Sequence, residues 1–96
     1  MKIPNKIKIG SHWYSVKFAD LDKIGGNDEP GISYLLKNKI FINTNNNISR
    51  SQQEQTLIHE IIEAINYNYE LSLPHQSISI LGETIYQVLN DNKFLR

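Results

Sequence analysis

The segment that most constrains this chain is residues 55–65, which read Gln-Thr-Leu-Ile-His-Glu-Ile-Ile-Glu-Ala-Ile and have the apolar spacing of a helix. At 3.6 residues per turn, His59 and Glu63 lie one above the other on one face, close enough to hold a single metal ion. Glu60 projects about 100° away around the helix axis. This geometry is typical of the HExxH helix of zinc proteases, with a carboxylate in place of the second histidine.

The composition limits which ligands such a site can use. The chain has 96 residues, no cysteine and three histidines, so any metal must be held by His, Asp or Glu side chains. The histidines are His12, His59 and His75. The length predicts a single domain over residues 1–96, and a hydrophobic content of 40% is ordinary for a globular fold.

Charge and hydropathy argue against two classes of partner. Ten basic and ten acidic residues cancel, and no basic run provides the electrostatic footprint of a nucleic-acid-binding protein. Lys2, Lys6 and Lys8 form only a small positive edge at the first strand. The N-terminus has no apolar signal core and no apolar run is long enough to span a membrane, so we expect a cytoplasmic chain with no membrane partner.

Alternation of polar and apolar residues predicts four short strands in two hairpins. The first hairpin turns at Gly10-Ser11 and the second at Asn38. Tyr14 lies on one face of the first hairpin with Val16 and Phe18, and Trp13 points the other way. The predicted strands are residues 6–9, 12–18, 32–36 and 39–43, with loops at 19–31 and 44–50.

Two helices are predicted after the strands. The first runs from Ser51, where Ser51-Gln-Gln-Glu54 has the capping-box pattern, to about Tyr69. The second runs from Pro74 to about residue 91, and the short connection makes the helices antiparallel neighbours. The predicted buried stripes are Ile58, Ile61, Ile62, Ile65 and Tyr69 on the first helix and Ile78, Leu81, Ile85, Val88 and Leu89 on the second. The fold class is therefore α+β, a small antiparallel sheet of two hairpins packed against two antiparallel helices.

Three more residues complete the candidate site. Glu83 follows Glu63 by twenty residues, which matches the arrangement in which a glutamate on the next helix supplies the third ligand of an HExxH zinc enzyme. His75 lies in the interhelical turn, where it can be a ligand or a donor to a developing oxyanion. Glu60 occupies the position of the general base that activates a metal-bound water.

The residues leave the ligand set open. With His59, Glu63 and Glu83, two carboxylates nearly neutralise the cation, so the pKa of a bound water is lowered less than in a histidine-rich site. With His59, His75 and one or both glutamates, the set resembles the His2Glu composition of hydrolytic zinc sites. Zn²⁺ is favoured, and carboxylate-rich ligation also admits Mn²⁺ or Fe²⁺. A metal-free domain, with His59 and Glu63 as an ordinary surface pair, is the simplest alternative.

The segment from Thr56 to Tyr67, with Leu71-Ser-Leu-Pro-His75 and the stretch from Leu81 to Asn92, resembles small phage and prophage proteins related to minimal HExxH metallopeptidases of the ImmA/IrrE kind. Residues 7–16 and 40–43 are similar to that group's strands, so the resemblance spans most of the chain. It implies a zincin-like fold. It also implies the site roles, with His59, Glu63 and Glu83 as ligands and Glu60 as base. Glu63 in place of histidine is the departure from the family pattern.

We therefore expect a small zinc metallopeptidase-like protein of phage or mobile-element origin, in which a metal-activated water attacks a peptide bond with Glu60 as base. A strand near residues 40–43 would align the peptide or protein substrate by backbone hydrogen bonds. The alternative comes from another class, a catalytically inactive zincin-like protein that engages or inhibits a host protein. The absent second histidine and an exposed Trp13 suit that alternative.

Overall fold

The computed structural model describes residues 2–21, 29–44 and 48–94. Together they confirm the predicted α+β class. Within these ranges, neither helix combines the length and the apolar content needed to cross a membrane. The elements are β1 (Lys6–Ile9), β2 (His12–Ala19), β3 (Gly31–Tyr34), a 3-10 turn (Leu35–Lys37), β4 (Lys39–Asn43), α1 (Arg50–Asn68) and α2 (His75–Asp91).

The four strands form one mixed sheet in the order β1-β2-β4-β3. Each hairpin is antiparallel as predicted, and Gly10 and Asn38 turn the chain with positive φ angles of 60° and 53°. However, β2 and β4 are parallel, with Val16 opposite Ile40, so the prediction of a wholly antiparallel sheet is wrong where the hairpins meet. The chain leaves β2 and re-enters the sheet two positions away, at β3, which runs antiparallel to β2. β4 then returns between β2 and β3, and because it is antiparallel to β3 it runs in the direction of β2.

The second hairpin differs in one more detail from its predicted bounds. β3 ends at Tyr34 rather than at residue 36, because residues 35–37 form a 3-10 turn. Asn38 closes this turn, and its backbone N–H donates to the carbonyl of Leu35. The left-handed conformation at Asn38 is one that asparagine tolerates well, which is why this residue marks the reversal of the chain.

The core lies between one face of the sheet and α1, and α2 packs against α1. Tyr14 and Val16 point into it as predicted, whereas Phe18, on the same face of β2, is 44% exposed near the end of that strand. Trp13 is exposed on the opposite face. The buried core comprises Ile9, Tyr14, Val16, Ile40, Ile42, Leu57 and Ala64.

The first helix begins at Arg50, one residue before its predicted start, and its cap is Ser49. The Ser49 hydroxyl accepts a hydrogen bond from the Gln52 backbone N–H at 3.2 Å, and the Gln52 side chain accepts one from the Ser49 N–H at 3.0 Å. Glu54, the expected capping partner of Ser51, is buried and accepts a hydrogen bond from the Tyr86 hydroxyl at 2.7 Å. The sequence contains two overlapping capping patterns, one starting at Ser49 and one at Ser51. The second does not form, because Glu54 binds Tyr86 of α2 instead.

The buried stripes of both helices differ from those predicted. Ile62 on α1 and Ile78 on α2 are buried as predicted. α1 has neighbours on two sides, so it also buries Glu54, Thr56, Leu57, Glu60 and Ala64, while the predicted Tyr69 is exposed. α2 has one helical neighbour, so its buried stripe is narrow and consists of Ile78, Gly82 and Tyr86. The predicted stripe residues Leu81, Ile85 and Val88 are 40%, 39% and 43% exposed.

Candidate metal centre

The structure brings together three of the predicted site residues. His59, Glu63 and His75 each offer a ligand atom, and these three atoms lie within 4.8 Å of one another. His59 Nε2 is 3.8 Å from Glu63 Oε2 on the same helix. The rings of His59 and His75 meet edge to face, with centroids 5.5 Å apart. Two imidazoles and one carboxylate therefore converge on a single point.

The turn between the helices places His75 at this point. The Asn66 side-chain oxygen accepts a hydrogen bond from the Leu73 backbone N–H at 2.8 Å, and the Asn66 carbonyl accepts one from Leu71. Glu70 and Ser72 both adopt positive φ angles, 51° and 57°, which reverse the chain within a few residues. The turn is thus fastened to the last turns of α1, and His75 begins α2 beside His59.

Gly82 permits the close approach of the two helices. A Cβ atom at this position would lie 3.3 Å from the Cα of His59, which is tighter than ordinary van der Waals contact, and 3.4 Å from its Cβ. Gly82 follows His75 by seven residues, which is two helical turns, so the two residues share the face of α2 that meets α1. The small residue at position 82 therefore helps to bring His75 within reach of His59.

The same geometry places Glu83 outside the donor group, the name we use for the candidate metal ligands His59, Glu63 and His75. Glu83 follows Gly82 by one residue and so points about 100° away from the helix contact. It is exposed and lines the rim of the adjacent cavity. Within the part of the chain that the structure describes, it is not a member of the group that could hold an ion. Of the two ligand sets that the sequence leaves open, the geometry favours the one with His75.

Burial controls the protonation of His59. Partial burial lowers the pKa of the His59 imidazole, and the nearby His75 lowers it further, whereas Glu63 and Glu29 raise it. The net result is a pKa below the ordinary value for histidine. The imidazole is therefore mainly neutral at pH 7, which is the form that binds a metal ion.

Glu60 is a buried carboxyl group next to the donor group. It is 5% exposed, and its Oε1 accepts a hydrogen bond of 2.5 Å from the Ser33 hydroxyl. Burial raises the pKa of Glu60 to about 7, helped by Glu63 and Glu29 and opposed by the Ser33 hydrogen bond. A carboxyl with this pKa can both accept and donate a proton near neutral pH, as a general acid-base catalyst requires.

Gly31 on β3 makes room for the Glu60 carboxylate. A Cβ atom at this position would lie 2.5 Å from Thr56 Cγ2 and 3.3 Å from Glu60 Oε2. Sequence reasoning identified His59, Glu60, Glu63 and His75 but missed Gly31, Ser33 and Gly82. A glycine within a helix pattern is a recognised sign of close packing, so Gly82 could have been noticed. Gly31 fell in the predicted loop at residues 19–31, where a glycine is ordinary. No sequence signal pairs Ser33 with Glu60.

Two adjoining cavities open beside these residues, and we call them together the site cleft. The first has a volume of about 200 Å³ and is lined by Gly31, Thr56, His59, Glu60, His75 and Glu83, among others. The second continues along β3 and is lined by Ile32, Ser33, Leu35, Glu63, Asn66 and Tyr67, among others. The donor group and the Glu60 carboxyl thus face a space that a ligand can enter.

Comparison of the chain with protein-family models, with curated proteins and with solved structures finds no match in any of the three. The function of the site is therefore inferred from its own side chains. Two imidazoles and one carboxylate match the ligand composition of hydrolytic zinc sites, and a neutral His59 suits this donor set. The residues present fit a divalent metal ion.

Proposed function

We propose that this protein is a small zinc-dependent hydrolase that acts on peptide bonds. The observation that carries this proposal is the convergence of His59, Glu63 and His75 within 4.8 Å, beside a cleft that also contains Glu60. A zinc ion in such a site polarises a carbonyl group and makes water a better nucleophile near neutral pH. Mn²⁺ and Fe²⁺ are accepted by the same donor types.

Glu60 is the proposed general base. Because its pKa is about 7, a large fraction of the carboxyl group is ionised at neutral pH and can take a proton from an attacking water. The same group can then return that proton to the leaving amine of the cleaved peptide bond. The Ser33 hydroxyl binds Oε1 and so holds the orientation of the carboxylate in the cleft.

The edge of the sheet beside the cleft is the proposed substrate platform. The expected strand, residues 40–43, cannot serve, because β4 is paired with β2 on one side and β3 on the other. β3 is the edge strand, and its residues Ile32 and Ser33 line the cleft. An extended peptide could add to β3 by backbone hydrogen bonds. Leu35 and Tyr67 offer apolar contacts to its side chains.

One observation favours the rival function, a catalytically inactive protein that binds a partner in the same cleft. Glu60 is almost fully buried and already bonded to Ser33, so part of its role is structural. The resemblance to phage and prophage zincin-like proteins fits either function. We also propose a phage or mobile-element origin and a cytoplasmic location.

Elemental analysis of purified variants tests the metal site. We expect the wild type to hold close to one zinc per chain and His59→Ala and His75→Ala to lose it. Glu83→Ala is the matched control, since Glu83 lines the same cavity outside the donor group, and it should retain the metal. A chain that binds no divalent metal, or loses it only on Glu83→Ala, would contradict the proposed ligand set.

Glu60→Gln separates hydrolysis from binding. With peptide libraries as substrate, the loaded wild type should cleave and Glu60→Gln should retain the metal but lose activity by at least about a hundredfold. The amide keeps an oxygen that can accept the Ser33 hydrogen bond, so the fold should be preserved. A wild type that holds zinc, binds peptides and cleaves none would support the inactive binding protein instead.

A further inference from the structure

The face of the sheet opposite the helices carries all four lysines of the strands. The strand register places Lys6 opposite Ser15, Lys8 opposite Trp13 and Lys17 opposite Phe41, and paired residues share a face. Lys39 and Tyr34 are paired on the same face. We call this surface the basic face, and it comprises Lys6, Lys8, Lys17 and Lys39 with the rings of Trp13 and Tyr34.

Charge is strongly separated between the two layers of the fold. The four strands contain four lysines and no acidic residue. The two helices contain five acidic residues, Glu54, Glu60, Glu63, Glu83 and Asp91, and one basic residue, Arg50. The net charge of zero is therefore the sum of a positive sheet and a negative helical layer. A positive surface of this kind attracts an anionic partner whatever the net charge of the chain.

Aromatic rings lie among these lysines. Trp13 is 55% exposed and Tyr34 is 39% exposed. The Nζ atoms of Lys6 and Lys8 lie 5.0 Å and 6.0 Å from the centre of the Trp13 ring. Phe41 contacts Tyr34 edge to face, with centroids 5.5 Å apart, and so supports that ring at the surface. Each exposed ring therefore has a neighbouring lysine, Lys8 beside Trp13 and Lys39 beside Tyr34.

Exposed aromatic rings among cationic side chains form the type of surface that binds single-stranded nucleic acid, because bases stack on the rings and phosphates pair with the ammonium groups. The register places Tyr34 two strands away from Trp13 and two residues along, so the two residues are roughly 12 Å apart and provide separate stacking positions. A duplex would need an element that enters a groove, and this face presents neither a helix nor a protruding ribbon among the described residues.

We propose that the basic face binds single-stranded DNA or RNA, with Trp13 and Tyr34 as stacking platforms and the four lysines as phosphate contacts. This inference departs from the expectation of no nucleic-acid partner, which rested on the net charge and on the lack of a basic run in the sequence. It is independent of the proposed hydrolase function, because the basic face and the site cleft lie on opposite sides of the sheet. Either one can fail without the other.

Trp13 is the only tryptophan in the chain, so intrinsic fluorescence reports directly on this face. Titration with an oligonucleotide of about fifteen nucleotides should quench the fluorescence to saturation. The affinity should fall with salt, and the slope of log K against log salt should approach about −3 if all four lysines contact phosphates. Parallel measurements of anisotropy on a labelled oligonucleotide extend the assay to variants that lack the tryptophan.

The variants separate stacking from charge. Lys39→Glu and Lys17→Glu should each weaken binding by roughly tenfold and reduce the salt slope. Trp13→Ala should weaken binding by about tenfold or more and leave the salt slope unchanged. The matched control is Lys93→Glu, beyond the end of α2, which should bind as the wild type does. All four substitutions are at exposed positions, and an unchanged melting temperature verifies the fold.

Four results would overturn the inference. They are no binding at low salt, an equal loss of affinity on Lys93→Glu and on Lys39→Glu, an affinity for duplex equal to that for single strands, and binding to anionic phospholipid vesicles with none to the oligonucleotide. Saturable quenching that depends on Trp13 and on the strand lysines would support it.

Discussion

At the scale of single residues, Glu60 is a buried carboxyl group that forms no ion pair with the residues that the structure describes. Its carboxyl group is buried between α1 and β3, and the nearest partner in the structure is the neutral Ser33 hydroxyl. Burial raises the pKa of Glu60 to about 7. Proteins retain such groups mainly where a proton must be moved, because the burial is otherwise unfavourable.

The metal-free protein should therefore lose stability between about pH 4.5 and pH 7. The folded-state pKa lies above that of the unfolded chain, so the stability is fully present below the unfolded pKa and declines as the pH rises to the folded one. The difference of about 2.5 pH units corresponds to about 3 kcal/mol. Glu60→Gln should remove this decline, as measured by urea denaturation at about pH 4 and pH 8.

Glu83→Gln serves as the control for this measurement, since Glu83 is an exposed carboxyl on the neighbouring helix. It should leave the pH dependence close to that of the wild type. If Glu60→Gln and Glu83→Gln change the pH dependence of the free energy of unfolding equally, the burial of Glu60 does not determine its pKa.

At the scale of the elements, the contact between α1 and α2 is made by a glycine and a buried hydrogen bond. Gly82 meets the backbone of His59, and the Tyr86 hydroxyl donates to Glu54 at 2.7 Å one turn further along α2. Burial and the Glu54 carboxylate raise the pKa of Tyr86 to about 12, so the hydroxyl stays protonated and remains a donor. Gly82 thus sets the distance between the two helices, and the Tyr86–Glu54 hydrogen bond sets their axial register.

Gly82→Val should push the helices apart. The added methyl groups meet His59 at the point of closest approach, and we expect a loss of about 1–3 kcal/mol in stability with weaker zinc binding. Thr84→Val introduces the same side chain at an exposed position of α2 and should change neither quantity by much. Isothermal titration with zinc and urea denaturation measure the two effects. Unchanged zinc affinity in Gly82→Val would show that helix spacing does not place His75.

Tyr86→Phe should remove the buried hydrogen bond to Glu54. The Glu54 carboxylate then loses this donor and keeps its pairing with Arg50, and the loss of one hydrogen bond to a charged group costs about 1.5–3 kcal/mol. Tyr67→Phe, at an exposed position of α1, is the matched control and should be nearly neutral. Urea denaturation of both variants provides the comparison, and equal stabilities would contradict a structural role for the Tyr86 hydroxyl.

At the scale of the whole molecule, a metal ion would join the two helices and so stabilise the entire fold. An ion that binds only the folded state adds about 2.7 kcal/mol at a free concentration one hundred times its dissociation constant. Zinc should therefore raise the melting temperature of the wild type, and a chelator should reverse the change. His75→Ala should show no zinc-dependent shift, whereas Glu83→Ala should show the full one. A chelator-insensitive melting temperature in zinc-loaded wild type would contradict the site.

Features that depend on near neighbours in the chain could be predicted from the sequence. His59 and Glu63 lie one helical turn apart, so the helix itself brings them together. Gly10 and Asn38 reverse the chain because their own backbone preferences allow positive φ. The alternation in β2 likewise placed Trp13 and Tyr14 on opposite faces, since the period of a strand is two residues.

The choice of His75 over Glu83, the parallel pairing of β2 with β4 and the burial of Glu60 were decided only by the tertiary structure. Each depends on how elements distant in the chain pack, on the spacing and register of two helices or on the order of strands in a sheet. The separation of charge between the sheet and the helices also depends on the tertiary structure, because the net charge of a sequence does not say on which surface the charges lie. Local periodicity therefore determined the part of the candidate metal site that lies on one helix, and packing between elements determined the rest.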